Sequence, residues 1–165
     1  MTSGCIEVAN FDGNQIIRLS GDVRLNLCSA LDRYITDVLQ NAVFAHLYID
    51  LSRAEGVDST TLGQLAKIAI LCRERFHFKP TIYSPGESVG KILHSMGFDQ
   101  VFTILRRSIK QDASFEEWAS ASENAACSKE QVIEAHKVLM SLNDHNKETF
   151  QELMNTLEGP APTMR

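Results

Sequence analysis

The sequence predicts an α/β fold: a mixed sheet of about five strands covered by helices, followed by a C-terminal helical extension. Three observations lead there. Ile6 and Val8 alternate with polar neighbours, and Asp12-Gly13 supplies a tight turn before Ile16, Ile17 and Leu19, so the chain opens on a β-hairpin. From Leu27 onward, stretches with helical periodicity alternate with short apolar runs. From Ser128 to Glu158, finally, neither glycine nor proline interrupts the chain.

After the hairpin, Leu27, Leu31, Tyr34, Ile35, Val38 and Leu39 form one face of a first helix, and residues 46–51 read as a buried central strand ending on Asp50-Leu51. A second helix is expected from about Ser59 to Phe76, carried by Leu62, Leu65, Ala66, Ala69 and Ile70. Pro80 opens a strand through Ser84, and Pro85-Gly86 breaks it. Val89, Ile92, Leu93 and Met96 then mark a third helix that Gly97 terminates. Val101 to Leu105 is the last strand expected.

Beyond it, Ser114-Phe115-Glu116-Glu117 has the spacing of a capping box, which points to a short helix pinned to the domain by Phe115 and Trp118. Ala119 to Ala126 is small, polar and weakly patterned, as a linker would be. Ser128-Lys129-Glu130-Gln131 is a second capping box. After it Val132, Ala135, Leu139, Leu142, Asn146, Phe150, Leu153 and Leu157 recur at steps of three and four. One long helix satisfies this seam, and so does a helical hairpin bending near Asn143-Asp144. The seam either covers an apolar face of its own domain or forms an interface with a partner or a second copy in a homodimer. The domain division expected is 1–120 for the α/β domain, 121–127 for a linker, 128–158 for the extension and 159–165 for a frayed tail.

Composition narrows the function. The 165 residues suit one core plus an appended element. Residues 1–110 carry 12 Lys/Arg against 11 Asp/Glu and residues 111–165 carry 4 against 10, so the net charge of −5 arises as +1 and −6. An acidic C-terminal third is the wrong sign for nucleic-acid binding. No stretch is apolar over the roughly 18 residues of a membrane span, and Met1 to Gly13 lacks the pattern of a signal peptide, so a cytoplasmic protein is expected. Cys5, Cys28, Cys72 and Cys127 stand far apart and the five histidines are dispersed. Reduced, structural cysteines are therefore expected, with no metal and no cofactor. Gly86-Glu87-Ser88-Val89-Gly90-Lys91-Ile92 approaches a phosphate-binding loop, but it is one residue short and has Ile92 where a metal-binding hydroxyl belongs. With no catalytic constellation at a recognisable spacing, a non-enzymatic role is expected.

The sharpest local feature is Asp58-Ser59-Thr60-Thr61-Leu62-Gly63, which sets a hydroxyl beside a carboxylate where a strand turns into a helix. Ser59 falls at or near the N-cap, where free backbone N–H groups and the positive helix end would tolerate a phosphate.

Several matches in order make the chain resemble the STAS domains, a family named from sulfate transporters and anti-sigma factor antagonists. They are Gly21-Asp22 after an early strand, the Leu27, Leu31, Ile35, Leu39 helix, Asp50-Leu51, and Val57 through Gly63. Thr81-Ile82-Tyr83, Met96-Gly97-Phe98 and Val101-Phe102-Thr103-Ile104 complete the set, over residues 4 to 120. Thr61 departs from the pattern, standing where many members have glycine. The resemblance implies a STAS-like sheet and an anti-sigma factor antagonist whose phosphorylatable serine is Ser59, with Thr60 the neighbouring candidate. In such a switch the unphosphorylated form binds an anti-sigma factor and frees the sigma factor, and phosphorylation blocks binding. It further implies a serine kinase, which the anti-sigma factor itself supplies, and an opposing protein-serine phosphatase. Asp22, Arg24, Asp58, Ser59, Thr60, Thr61 and Leu62 are the expected contact residues. The alternative is a non-switching STAS accessory subunit that docks on a transporter ATPase.

Overall fold

The computed structural model describes residues 3–24, 27–41, 43–107, 114–120 and 127–159. Strands β1 (Cys5–Phe11) and β2 (Asn14–Val23) form the opening hairpin, in which Asp12 and Gly13 both take positive φ, 50° and 80°. That pair of left-handed residues matches the right-handed twist of the strands it joins. Helix α1 (Cys28–Tyr34) runs on through a π-helical turn at Ile35–Leu39 and returns the chain to β3 (His46–Val57). Then come α2 (Ser59–Leu71), with a π-helical turn at Cys72–Phe76, β4 (Thr81–Tyr83), α3 (Glu87–Ser95) and β5 (Thr103–Leu105). Gly97 ends the α3 segment in the left-handed region, φ 77°, as a helix-stopping glycine does.

Strands β2, β3, β4 and β5 pair in parallel, β1 is antiparallel to β2, and with a sixth strand, β6 (Glu116–Ser120), the order across the sheet is β5-β4-β3-β2-β1-β6. Period-2 alternation turns Ile17, Leu19 and Val23 of β2, Leu47, Ile49 and Leu51 of β3, and Ile82 of β4 toward the helices. There they meet Leu31, Leu62, Leu65 and Leu93 in one continuous core. On the opposite face Arg18 donates through Nε to Asp50 Oδ2 at 3.0 Å and lies 3.7 Å over the ring of Phe115.

The sixth strand is a departure from the sequence reading. Glu116–Ser120 forms β6, antiparallel to β1, where the capping-box spacing had predicted a short helix. Pairing with β1 outweighs the local signal, as tertiary context often does for five-residue segments. Of the two aromatic anchors, Phe115 just before the strand lies against Arg18, and Trp118 within it lies against Tyr34 in an edge contact at 5.3 Å, with Trp118 Nε1 donating to Ala30 O at 3.1 Å. The strand expected over 101–105 is confined to Thr103–Leu105, because Phe98–Gln100 is a 3-10 turn whose bonds extend through Phe102.

The extension is a hairpin: α4 (Lys129–Met140) and α5 (Asp144–Glu158). Ser128 and Gln131 make a reciprocal capping box at the start of α4, and Asn143 caps α5 through its bond from Asn146 N, 2.7 Å. Asn146, the polar break in the seam, is fully buried and donates to Met96 O and Leu139 O at 2.9 and 2.8 Å. The hairpin lies across α2, with Leu139 and Phe150 joining the core. Cys28 and Cys127 form a disulfide with Cα atoms 5.2 Å apart, joining the start of α1 to the residue before the α4 cap. This corrects the expectation of four reduced cysteines. Two cysteines 99 residues apart carry no spacing signal, and only the return of α4 to α1 brings them together. The linker expected over 121–127, Cys127 apart, and the frayed tail after Gly159 lie outside the described residues.

Candidate functional site at the start of the second helix

Asp58 leaves β3 in extended conformation, φ −95° and ψ 172°, and its Oδ1 accepts from Thr61 N at 2.8 Å. Asp58, not Ser59, is therefore the N-cap. Ser59 is the first residue of the helix, and its hydroxyl is released from backbone duty.

Parallel pairing of β2 with β3 brings the second segment alongside. Asp22 pairs with Gly56 and Val23 with Val57, after register shifts between Arg18 and Ser20 and between Gly21 and Asp22. Such irregularities re-aim side chains near sites. Gly21 takes φ 72°, and a Cβ at Gly56 would stand 3.3 Å from Asp22 Oδ1, so both glycines fit the backbone here. Arg24 donates through Nε to Asp22 Oδ1 at 2.7 Å. That hydrogen bond first, then the charge of Asp22 and more weakly that of Asp58, raise the Arg24 pKa and fix its positive charge beside the α2 start. Asp22, Arg24 and Asp58 thus share one rim.

The remaining expected contact residues lie deeper. Thr60, Thr61 and Leu62 are all buried, and Thr61 Oγ1 donates to Val23 O at 3.4 Å. Ser59 is half-buried, and its Oγ lies 2.7 Å from His136 Nε2 on α4. His136 Nδ1 lies 2.8 Å from Val132 O, and because a carbonyl only accepts, Nδ1 holds the proton and Nε2 of the neutral ring accepts from the Ser59 hydroxyl. The ring, 1% exposed, packs edge-on against Phe150 at 5.1 Å. A serine bonded to histidine is also how hydroxyl nucleophiles are activated, but here the imidazole is oriented by a backbone carbonyl and is itself buried.

Around this contact α4 is fitted to α2 and α1. Gly63 meets Ala135 without room for a side chain. Lys67 Nζ bridges Asp32 Oδ1 at 3.2 Å and Glu134 Oε1 at 2.7 Å. Burial works to lower its pKa, but the hydrogen bonds to Glu134 and Asp32 and their charges prevail, and the ammonium sits above its ordinary value. Gln131 donates to Asp32 Oδ2 at 3.2 Å and accepts from Ser29 Oγ at 3.1 Å. His136, Gln131 and Glu134 were not among the residues anticipated. A signal was present in α2 itself: from Thr60 through Ala66 every residue is buried, and a helix with one charged residue, Lys67, needs cover on both sides.

A family profile described as "Mlab, STAS domain" matches residues 7–106. The chain belongs to the STAS-domain family. The chain is similar in fold to a structure from Thermotoga maritima described as a candidate anti-sigma factor antagonist, with TM-score 0.53 and 20% identity over 59% of this chain and 82% of that one. The anti-sigma factor antagonist SpoIIAA in its unphosphorylated form matches with TM-score 0.49 and 16% identity over 61% of this chain and 86% of that one. No curated protein matches the sequence. The matched residues end before β6 and before the α4–α5 hairpin.

Proposed function

We propose that this STAS protein is an anti-sigma factor antagonist working as a phosphorylation-controlled binding switch. Unphosphorylated, it binds an anti-sigma factor and so releases a sigma factor; a phosphate on Ser59 abolishes that binding. The observation that carries the reading is the division of labour at the start of α2. Asp58 holds the cap, so the Ser59 hydroxyl is not needed for the first turn and is held instead by His136, next to the Asp22–Arg24 rim. A phosphate adds about −1.5 to −2 charge at neutral pH. The N-terminal N–H groups of α2 offset its cost within the fold. At an interface built to fit a neutral hydroxyl the same charge costs about 2–5 kcal/mol, or roughly 30-fold to several-thousand-fold in affinity. The partners on this reading are an anti-sigma factor with serine-kinase activity and a protein-serine phosphatase; the protein itself binds rather than catalyses. Thr60, buried on the inner side of the turn, is the poorer acceptor.

The test is incubation of the purified protein with native cell extract and ATP, followed by intact-mass measurement. Wild type should gain one phosphate and Ser59→Ala none. Ser59→Asp should fold normally and lose the anti-sigma partner that Ser59→Ala keeps. A second reading, a non-switching accessory subunit of a transporter ATPase, draws on the fixed hydrogen bond between Ser59 and His136. It requires no phosphate uptake and equal partner binding by both variants.

A further inference from the structure

We propose that the face of α2 and α1 under the hairpin is a helix-docking surface, that α4 is its resident occupant, and that a partner engages it by presenting a helix of the same chemistry in place of α4. The proposal rests on the reading of Ser59 as the switch and names how that site is closed.

The surface can be specified from its present occupant. Ala135 fills the one place where α2 has no side chain, Gly63, so the incoming helix needs a small residue there. Glu134, one residue before it, completes the Lys67 bridge whose other half, Asp32, belongs to the domain. His136, one residue after it, accepts from Ser59. Gln131, a turn earlier, bonds to Ser29 and Asp32. The required segment is thus an amphipathic helix with an acid, a small residue and a hydrogen-bond acceptor in succession. A partner bearing it cannot bind while α4 is in place, and Ser59 is likewise shielded until α4 leaves.

Three features mark α4–α5 as a displaceable occupant. It lies outside the residues that match the STAS profile. Its outer surface is strongly charged, with Lys129, Glu130, Lys137, Lys147, Glu148 and Glu152 exposed. Part of its contact with α2 and α1 is polar, and water can replace the Ser59, Lys67 and Gln131 bonds, while the apolar contact of Leu139 and Phe150 is what a replacing helix must reproduce. The disulfide between Cys28 and Cys127 fixes the near end of the hairpin and makes reduction a precondition for its full release.

The experiment uses the full chain carrying Ala135→Glu, in reductant, with a labelled synthetic peptide of residues 127–159 as probe. Hydrogen exchange in the variant should speed at least tenfold at the first turns of α2 while β2 and β3 keep their protection. The peptide should bind the variant, restore protection to α2, and show no binding to wild type. Loss of protection in β2 and β3 together with α2 would overturn the proposal by making the hairpin part of the indivisible core; unchanged α2 protection, or equal peptide binding to both proteins, would overturn it as well. With extract and ATP, the variant should take up phosphate at Ser59 at least tenfold faster than wild type, and equal rates would count against shielding. No phosphate on either protein would dispose of the switch reading alone, leaving the docking surface to be judged by exchange and peptide binding.

Discussion

Gly63 and Ala135 approach so closely that a Cβ on Gly63 would stand 2.6 Å from the Ala135 carbonyl carbon and 2.7 Å from its Cβ, and nearer still to its oxygen. The obstruction is backbone, which no rotamer change relieves. Gly63→Ala therefore distinguishes a docked hairpin from a loose one by sign. In an uncovered helix the substitution would stabilise by about 0.5–1 kcal/mol through propensity. Under the docked hairpin it should destabilise by about 1–3 kcal/mol, the cost of overpacking. Urea unfolding at neutral pH reads the difference directly.

Asp58 carries the cap of α2, so Asp58→Ala should cost about 0.5–2 kcal/mol, whereas Asp58→Asn, which keeps an acceptor for Thr61 N, should cost much less. Equal losses in thermal melts of the two variants would show that the capping bond is not what stabilises the turn.

Asp50, 1% exposed, accepts from Arg18 Nε, Ser52 N at 2.9 Å and Ser52 Oγ at 2.6 Å. Removing it strands the Arg18 guanidinium, whose side chain is 12% exposed. Asp50→Ala should cost about 3–5 kcal/mol, and the double variant Arg18→Met/Asp50→Leu should recover most of that, because an apolar pair of similar volume avoids the unpaired charge. Denaturant midpoints of the single and double variants give the comparison.

Burial pushes the Cys72 thiol from 9.0 up to about 12. A thiol is neutral when protonated, so the folded state favours the proton. The associated stability is complete below pH 9 and is lost progressively as pH rises from 9 toward 12. Wild type should lose more stability than Cys72→Val over that window, measured by urea midpoints at stepped pH. Below pH 9 the two curves should run parallel.

Most of the sheet and its helices were legible in the sequence because their signals are local. Alternation marked β1 and β2, Asp12-Gly13 marked their turn, helical spacing marked α1, α2 and α3, and Gly97 marked a stop. What escaped depends on distant partners. β6 exists through β1, the disulfide through the return of α4 to α1, and the Ser59–His136 bond spans 77 residues. The exchange of cap between Asp58 and Ser59 was a matter of one residue, since either type serves as a cap and only backbone angles decide. The choice between one long helix and a hairpin bending near Asn143-Asp144 turned on the polar positions. Asn146 looked like a break in the seam, whereas it is the buried tie of the second helix, and Asn143, where the hairpin reading placed the bend, is its cap.

The short strands at the two ends of the sheet bear on how copies of this protein meet. Unpaired N–H and C=O groups along a sheet margin invite a neighbouring chain to add as another strand, and the risk grows with the length of the margin. Without β6, the seven-residue β1 would be such a margin. In its place stands a five-residue strand beginning with two exposed glutamates, Glu116 and Glu117, and the far margin is a strand of only three residues. Both margins are too short, and one too acidic, to template growth, so β6 protects a concentrated pool of this protein from strand-to-strand aggregation.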